Sequence, residues 1–203
     1  MKRTGIMGGT FNPIHLAHLV LAEAAFEYFD LDDVMFLPSK RPAYKAQSEI
    51  LPDQQRYEML ELAIRDNKHF FLSDLELLRG EGATYTADTV LELKYMEPDT
   101  EFYFIIGGDS LMSFERWNRP EVVLSCVHLV ATGRSGLGWA RLLEKADTLC
   151  LKYGADVQVF PTPTMEISSS DIRERIRCGS SVRYLVPDTV WEYISKHGCY
   201  QKK

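Results

Sequence analysis

His15 and His18, three residues apart and preceded by Gly8-Gly9-Thr10-Phe11-Asn12-Pro13, are the residues of this chain best suited to chemistry. Imidazoles at that spacing on a helix share a face, so both can point at a phosphate held at the helix start. Arg3 to Met7 reads as a short buried strand, the glycine pair lets the backbone turn and approach a ligand without Cβ obstruction, and Pro13 enforces the turn. From His15 onward apolar and polar residues recur with helical period, which predicts an amphipathic helix with unpaired first-turn amides suited to an anion. Zinc is the competing use of two such histidines. No H-E-x-x-H arrangement and no cysteine cluster supplies the remaining ligands. The whole stretch from Gly8 to His18 therefore favours an ATP-handling site.

A second signal lies at Ile167-Ser168-Ser169-Ser170-Asp171-Ile172-Arg173. Consecutive hydroxyls at a helix start, with an arginine in the next turn, can surround polyphosphate oxygens with hydroxyl, amide and guanidinium donors. A strong N-cap plus a surface arginine is the plainer alternative, and for Arg175 it is the better one. The stretches between add weaker signals. Pro38 to Lys45 carries Lys40, Arg41 and Lys45, either a solvated turn or a phosphate clamp. Thr84 or Thr86 can cap a helix and leave amides for a carboxylate or phosphate. Asp109, in the loop expected at Gly107-Gly108-Asp109-Ser110, can bind ribose hydroxyls, and Trp117 can stack a flat heterocycle. Thr132 to Gly138 is glycine-rich around Arg134 and suits an anion-binding loop.

These residues must be positioned by alternating strands and helices. Strands are expected at Thr4–Met7, Val34–Pro38, Phe70–Ser73, Phe102–Ile106, His128–Ala131 and Val157–Phe160. Helices are expected at Leu16–Phe29, Asp53–Asp66, Thr86–Met96, Pro120–Leu124, Leu137–Tyr153, Ser169–Cys178 and Pro187–His197. The pattern is that of an α/β protein with an open, mostly parallel sheet covered on both faces, whose ligands bind beyond the carboxyl ends of the strands. With 203 residues, 45% of them apolar, one domain is the default. A net charge of −6 argues against a nucleic-acid surface. No run approaches the length of a membrane span and no signal segment opens the chain, so a cytoplasmic protein is expected. Cys126, Cys150, Cys178 and Cys199 are scattered, which favours reduced thiols; Cys126 and His128 would share a strand face, most simply as core.

Together, G-G-T-F-N-P-I-H-L-A-H and I-S-S-S-D-I-R resemble the two signatures of the nucleotidylyltransferase superfamily, and within it the bacterial nicotinate-nucleotide adenylyltransferases. The resemblance runs through all the stretches above, in order. It departs at Ala17, where that family usually has glycine. It implies a Rossmann-like nucleotidylyltransferase fold, a single domain over residues 1–203, and a segment 167–203 that completes the ATP site. It also implies adenylyl transfer from ATP, with Mg²⁺ carried on its phosphates, to nicotinate mononucleotide. His15, His18 and Arg173 would be catalytic. Gly8, Gly9, Thr10, Phe11, Gly107, Asp109, Ile167, Ser168 and Ser170 would join them around ATP, and Lys45, Thr86, Trp117 and Arg134 would bind the mononucleotide. Nicotinamide mononucleotide is the close alternative acceptor, phosphopantetheine a more distant one, and a non-catalytic nucleotide sensor the alternative of another class. A homo-oligomer is compatible with the sequence.

Overall fold

A computed structural model describes residues 1–40, 50–80, 82–133, 138–163 and 165–201. Six strands, β1 (Lys2–Gly9), β2 (Asp33–Pro38), β3 (Phe70–Leu72), β4 (Thr100–Gly107), β5 (His128–Thr132) and β6 (Val157–Val159), form one sheet in the order β3-β2-β1-β4-β5-β6. All five pairings are parallel. The order reverses between β1 and β4, so their carboxyl ends open a crevice at the switch point.

Among the described residues eight helices cover the sheet: α1 (Leu16–Tyr28), α2 (Asp53–Ile64), α3 (Thr86–Met96), α4 (Gly108–Ser113), α5 (Pro120–Cys126), α6 (Trp139–Tyr153), α7 (Ser169–Arg177) and α8 (Asp188–His197). Successive strand residues point to opposite faces, and the core divides accordingly. Met7, Phe36, Tyr103, Ile105 and Val130 pack with α1, α2, α7 and α8 on one face. Ile6, Met35, Leu37, Phe104 and Leu129 pack with α3 to α6 on the other. The middle of β1 and nearly all of β4 are buried on both sides, which is why β4 reads as a near-continuous apolar run.

Four local expectations are corrected. Gly107-Gly108-Asp109-Ser110 is not a loop: β4 passes directly into α4 and then a 3-10 turn at Phe114–Arg116. Helix α1 is not amphipathic. Its sequence is apolar nearly all round, and from Leu16 to Phe26 no residue is fully exposed, because the sheet and the C-terminal segment enclose it. Cys126 ends α5 and shares no strand face with His128, which instead pairs with Asp156 and stacks on Tyr103. Neither Thr84 nor Thr86 caps α3, whose N-cap is Tyr85 with no side-chain hydrogen bond. Among the described residues no helix is long and apolar enough to cross a membrane.

Candidate active site

The turn after β1 is built by contacts from far along the chain. Gly8 and Gly9 are the last residues of β1 and do not make the turn. Their value is close approach: a Cβ on Gly8 would stand 3.1 Å from the Phe104 ring, and one on Gly9 3.2 Å from that of Phe11. The left-handed residue is Phe11 (φ +47°), buried with its ring edge-on to His18 at 5.1 Å. Arg56 of α2 holds this conformation from beneath. Its guanidinium is fully buried and donates to the carbonyls of Thr10 (2.7 Å), Ser39 (2.8 Å) and Leu51 (3.2 Å) and to the Asp53 carboxylate (2.6 Å). Arg56 does not stand out in the sequence, because an arginine within a polar stretch of helix gives no sign of burial.

His15 is the N-cap of α1, extended and 2% exposed, and the helix begins at Leu16. The rings of His15 and His18 nevertheless stack at 3.6 Å and 22°. Stacked imidazoles do not converge their lone pairs, and among the described residues no three His, Cys, Asp or Glu gather around a cation position. His15 N–H donates to His18 Nδ1 at 3.3 Å, which leaves the proton of the neutral ring on Nε2, a donor for a phosphate oxygen. The expectation of unpaired amides at this helix start is corrected: Leu16 N–H donates to Leu185 O and His18 N–H to His15 O, each at 3.0 Å. The segment before α8 crosses the helix start and occupies the first of these donors.

The second motif reaches the same turn. Ser168 is the N-cap of α7, accepting from Asp171 N–H at 3.1 Å, and its hydroxyl lies 3.1 Å from that of Ser170. Ser169 turns the other way and donates to Pro13 O at 2.9 Å. Arg173 donates to Asn12 O at 3.0 Å, while Ile167 is buried in the core below. Arg175 is exposed in the last turn of α7, where its charge suits the helix dipole.

Two lobes of one cleft open over the carboxyl ends of β1, β4 and β5. The smaller is lined by His15, Ala17, Gly133, Thr162 and Met165. The larger, of about 330 Å³, is lined by Gly8, Gly9, Thr10, Glu76, Thr84, Thr86, Asp109 and Trp117. His18, Leu21 and Gly107 border both. Trp117 is backed by Phe114 and Phe104, with ring centroids 5.0 and 6.1 Å away, which fixes the indole at the cleft wall beside the start of α3. Glu76, also missed from sequence, is buried in that lobe. It accepts from the Thr89 hydroxyl at 2.6 Å, and burial pushes its carboxyl above the usual range. Lys45 and Arg134, assigned to the mononucleotide phosphate, lie outside the described residues.

The 3-2-1-4-5-6 parallel sheet is that of a doubly wound nucleotide-binding class of proteins, and the cytidylyltransferase-like family model matches residues 6–175. A probable nicotinate-nucleotide adenylyltransferase of Lachnoclostridium phytofermentans is 54% identical over 200 residues, covering 98% of this chain and 100% of its relative. One from Desulfitobacterium hafniense is 40% identical, with 98% and 96% covered. Among solved structures, Plasmodium falciparum nicotinic acid mononucleotide adenylyltransferase complexed with APC superposes with a TM-score of 0.80 at 19% identity, covering 98% of each chain. The chain belongs to the cytidylyltransferase-like family and, within it, to the nicotinate-nucleotide adenylyltransferases.

Proposed function

We propose that this protein transfers the adenylyl group of ATP to nicotinate mononucleotide, giving nicotinate adenine dinucleotide and pyrophosphate, a step of NAD biosynthesis. The observation that carries the reading is a two-lobed cleft with His18 at its junction, in a chain 54% identical to a relative of that name. A solved Plasmodium falciparum relative complexed with NaAD supports it through the shared fold, at a TM-score of 0.77.

The attacking group is the 5′-phosphate of the mononucleotide, already anionic at neutral pH, so no general base is needed. Catalysis is positioning and charge neutralisation during in-line displacement at the α-phosphorus. His18, whose Nδ1 accepts from the His15 amide and so leaves Nε2–H as the donor, gives that hydrogen bond to oxygens that gain charge as pyrophosphate leaves. Gly8, Gly9, Thr10 and Phe11 bring backbone close to the reacting phosphate, and Ser168, Ser170 and Arg173 hold the leaving phosphates beside Asn12. Gly107 and Asp109 bind the adenosine ribose, and Ile167 supports the nucleotide from the core. Trp117 stacks on the pyridine ring, and the uncapped start of α3 at Thr86 offers amide donors to the substrate carboxylate. Donors alone suit nicotinate, whereas the amide of nicotinamide would bring its own N–H₂ against them. Lys45 and Arg134 are assigned to the mononucleotide phosphate.

With no cluster of carboxylates and histidines among the described residues, the donor set fits a Mg²⁺ ion that arrives on ATP oxygens and keeps its waters. Carried on ATP, Mg²⁺ would supply charge neutralisation for the departing pyrophosphate, which Ser168, Ser170 and Arg173 would hold from the protein side. The chain works as one domain in which 167–203 completes the ATP site, a reading supported by Ile172, Val182, Val190 and Ile194 packing in the same core as α1. The absence of disulfides among its four cysteines supports a cytoplasmic setting.

The test is pyrophosphate release with Mg²⁺-ATP and nicotinate mononucleotide, nicotinamide mononucleotide or phosphopantetheine in parallel. Strong preference for the first is expected. Preference for either other acceptor overturns the acceptor assignment, and no release with any of them overturns the enzymatic reading.

A further inference from the structure

Asn12 is where three distant parts of the chain meet. Its Oδ1 accepts from the backbone N–H of Leu51 at 3.2 Å and from the hydroxyl of Tyr200 at 2.9 Å, and its carbonyl accepts from Arg173 at 3.0 Å. Asn12 is 3% exposed, so these partners substitute for water. The backbone on both sides of the Tyr200 contact is unusual. Phe11, immediately before Asn12, has φ +47°, and Tyr200, beyond the left-handed Gly198 that ends α8, has φ +65°. Bulky residues rarely adopt that region, and they stay there only where the surroundings over-determine them. Here one hydrogen bond joins the two strained segments. Phe11 in turn stands edge-on to His18, and Arg173 is assigned to the leaving phosphates. A shift of Asn12 therefore reaches both sides of the triphosphate.

We propose that Tyr200 is a positioning residue for ATP, its hydroxyl fixing Asn12 and thereby the Thr10–Pro13 turn, Phe11 and Arg173. The inference rests on the reading that both motifs hold ATP. Burial raises the Tyr200 hydroxyl well above the ordinary tyrosine range, against the opposing pull of Arg173 and Arg56, so it is a donor throughout the neutral range.

Tyr200→Phe keeps the ring and removes the hydroxyl. Steady-state kinetics against each substrate and calorimetric titration with a non-hydrolysable ATP analogue read the effect. ATP affinity should fall about fivefold, the factor that one hydrogen bond of ordinary strength corresponds to, with KM for the mononucleotide unchanged. Asn12→Ala should weaken ATP at least as much, and adding Tyr200→Phe to it should change nothing further, because the hydroxyl acts through Asn12. Unchanged ATP affinity in Tyr200→Phe overturns the proposal. So does an equal loss for both substrates with a lowered Tm, which marks mere packing, and so do additive effects in the double variant. If the wild-type protein fails to use nicotinate mononucleotide, the acceptor reading falls, while the calorimetric comparison still decides the role of Tyr200.

Discussion

Replacing Arg56 with methionine asks how strongly the turn after β1 depends on one buried cation. Asp53, its ionic partner, is 40% exposed, so that pair by itself contributes less than about 1 kcal/mol. The three carbonyls of Thr10, Ser39 and Leu51 weigh more. A bond from a charged donor contributes about 1.5–3 kcal/mol, and each buried acceptor stripped of its partner costs about 1–3 kcal/mol. Against this, the variant escapes the several kcal/mol spent on burying a guanidinium. The net loss should be about 3–4 kcal/mol, the lower part of the range for breaking a buried charged network, because Asp53 can turn to water. In a domain of this size that lowers Tm by roughly 6–16 °C. Urea unfolding followed by far-UV circular dichroism gives the difference by linear extrapolation. Arg56→Lys should fall between wild type and Arg56→Met, since a point ammonium cannot reach all the acceptors of a planar fork. A loss below about 1 kcal/mol for Arg56→Met would refute the reasoning, because it would mean that the carbonyls find other donors at little cost.

His18→Ala should lower kcat by a factor of about 10² or more while leaving stability within about 1 kcal/mol, and a folded variant with wild-type turnover would remove His18 from the chemistry. Trp117→Ala should raise KM for the mononucleotide about tenfold or more, as loss of a stacking platform does, and leave ATP affinity nearly intact; equal effects on both substrates would place the indole elsewhere. For Glu76 the sign is that of a buried acid: its folded pKa is raised, so ionisation above its unfolded value costs stability. Wild type should thus lose stability relative to Glu76→Gln as pH rises from about 4.5 through the raised folded value, and parallel pH-dependent Tm curves would count against the burial argument. Chelation of Mg²⁺ should abolish turnover yet leave the Tm of the nucleotide-free protein unchanged; a fall in Tm would reveal a protein-held metal.

The sheet was legible because most of its strands are short runs of apolar and β-branched residues between helical patterns, and the six expected strands match those of the described residues to within a few residues at their ends. Helix α4 was not, since six residues opening on glycine are too short to show helical period. The two motifs proposed to meet ATP could be recognised from local residue types. What holds them together could not. Arg56, Tyr200 and the Leu185 carbonyl act on the first motif from 46, 188 and 169 residues away, and no local pattern announces such a contact. The same distance hid the division of labour among the serines: only the structure shows Ser169 turned onto Pro13, away from its neighbours.

The fastening of the first motif by the last also orders events during synthesis. Residues 8–18 are made early, yet Ser169, Arg173 and Tyr200 must be present before the Asn12–Pro13 segment has all its partners. A nascent chain that has completed β1 to β6 can pair its strands, but its turn after β1 lacks those three ties until α7 and α8 have been added and docked. The turn after β1 is thus completed by α7 and the residues that follow α8, and until these have docked a ribosome-bound intermediate would present the sheet with Asn12 and Pro13 short of their partners.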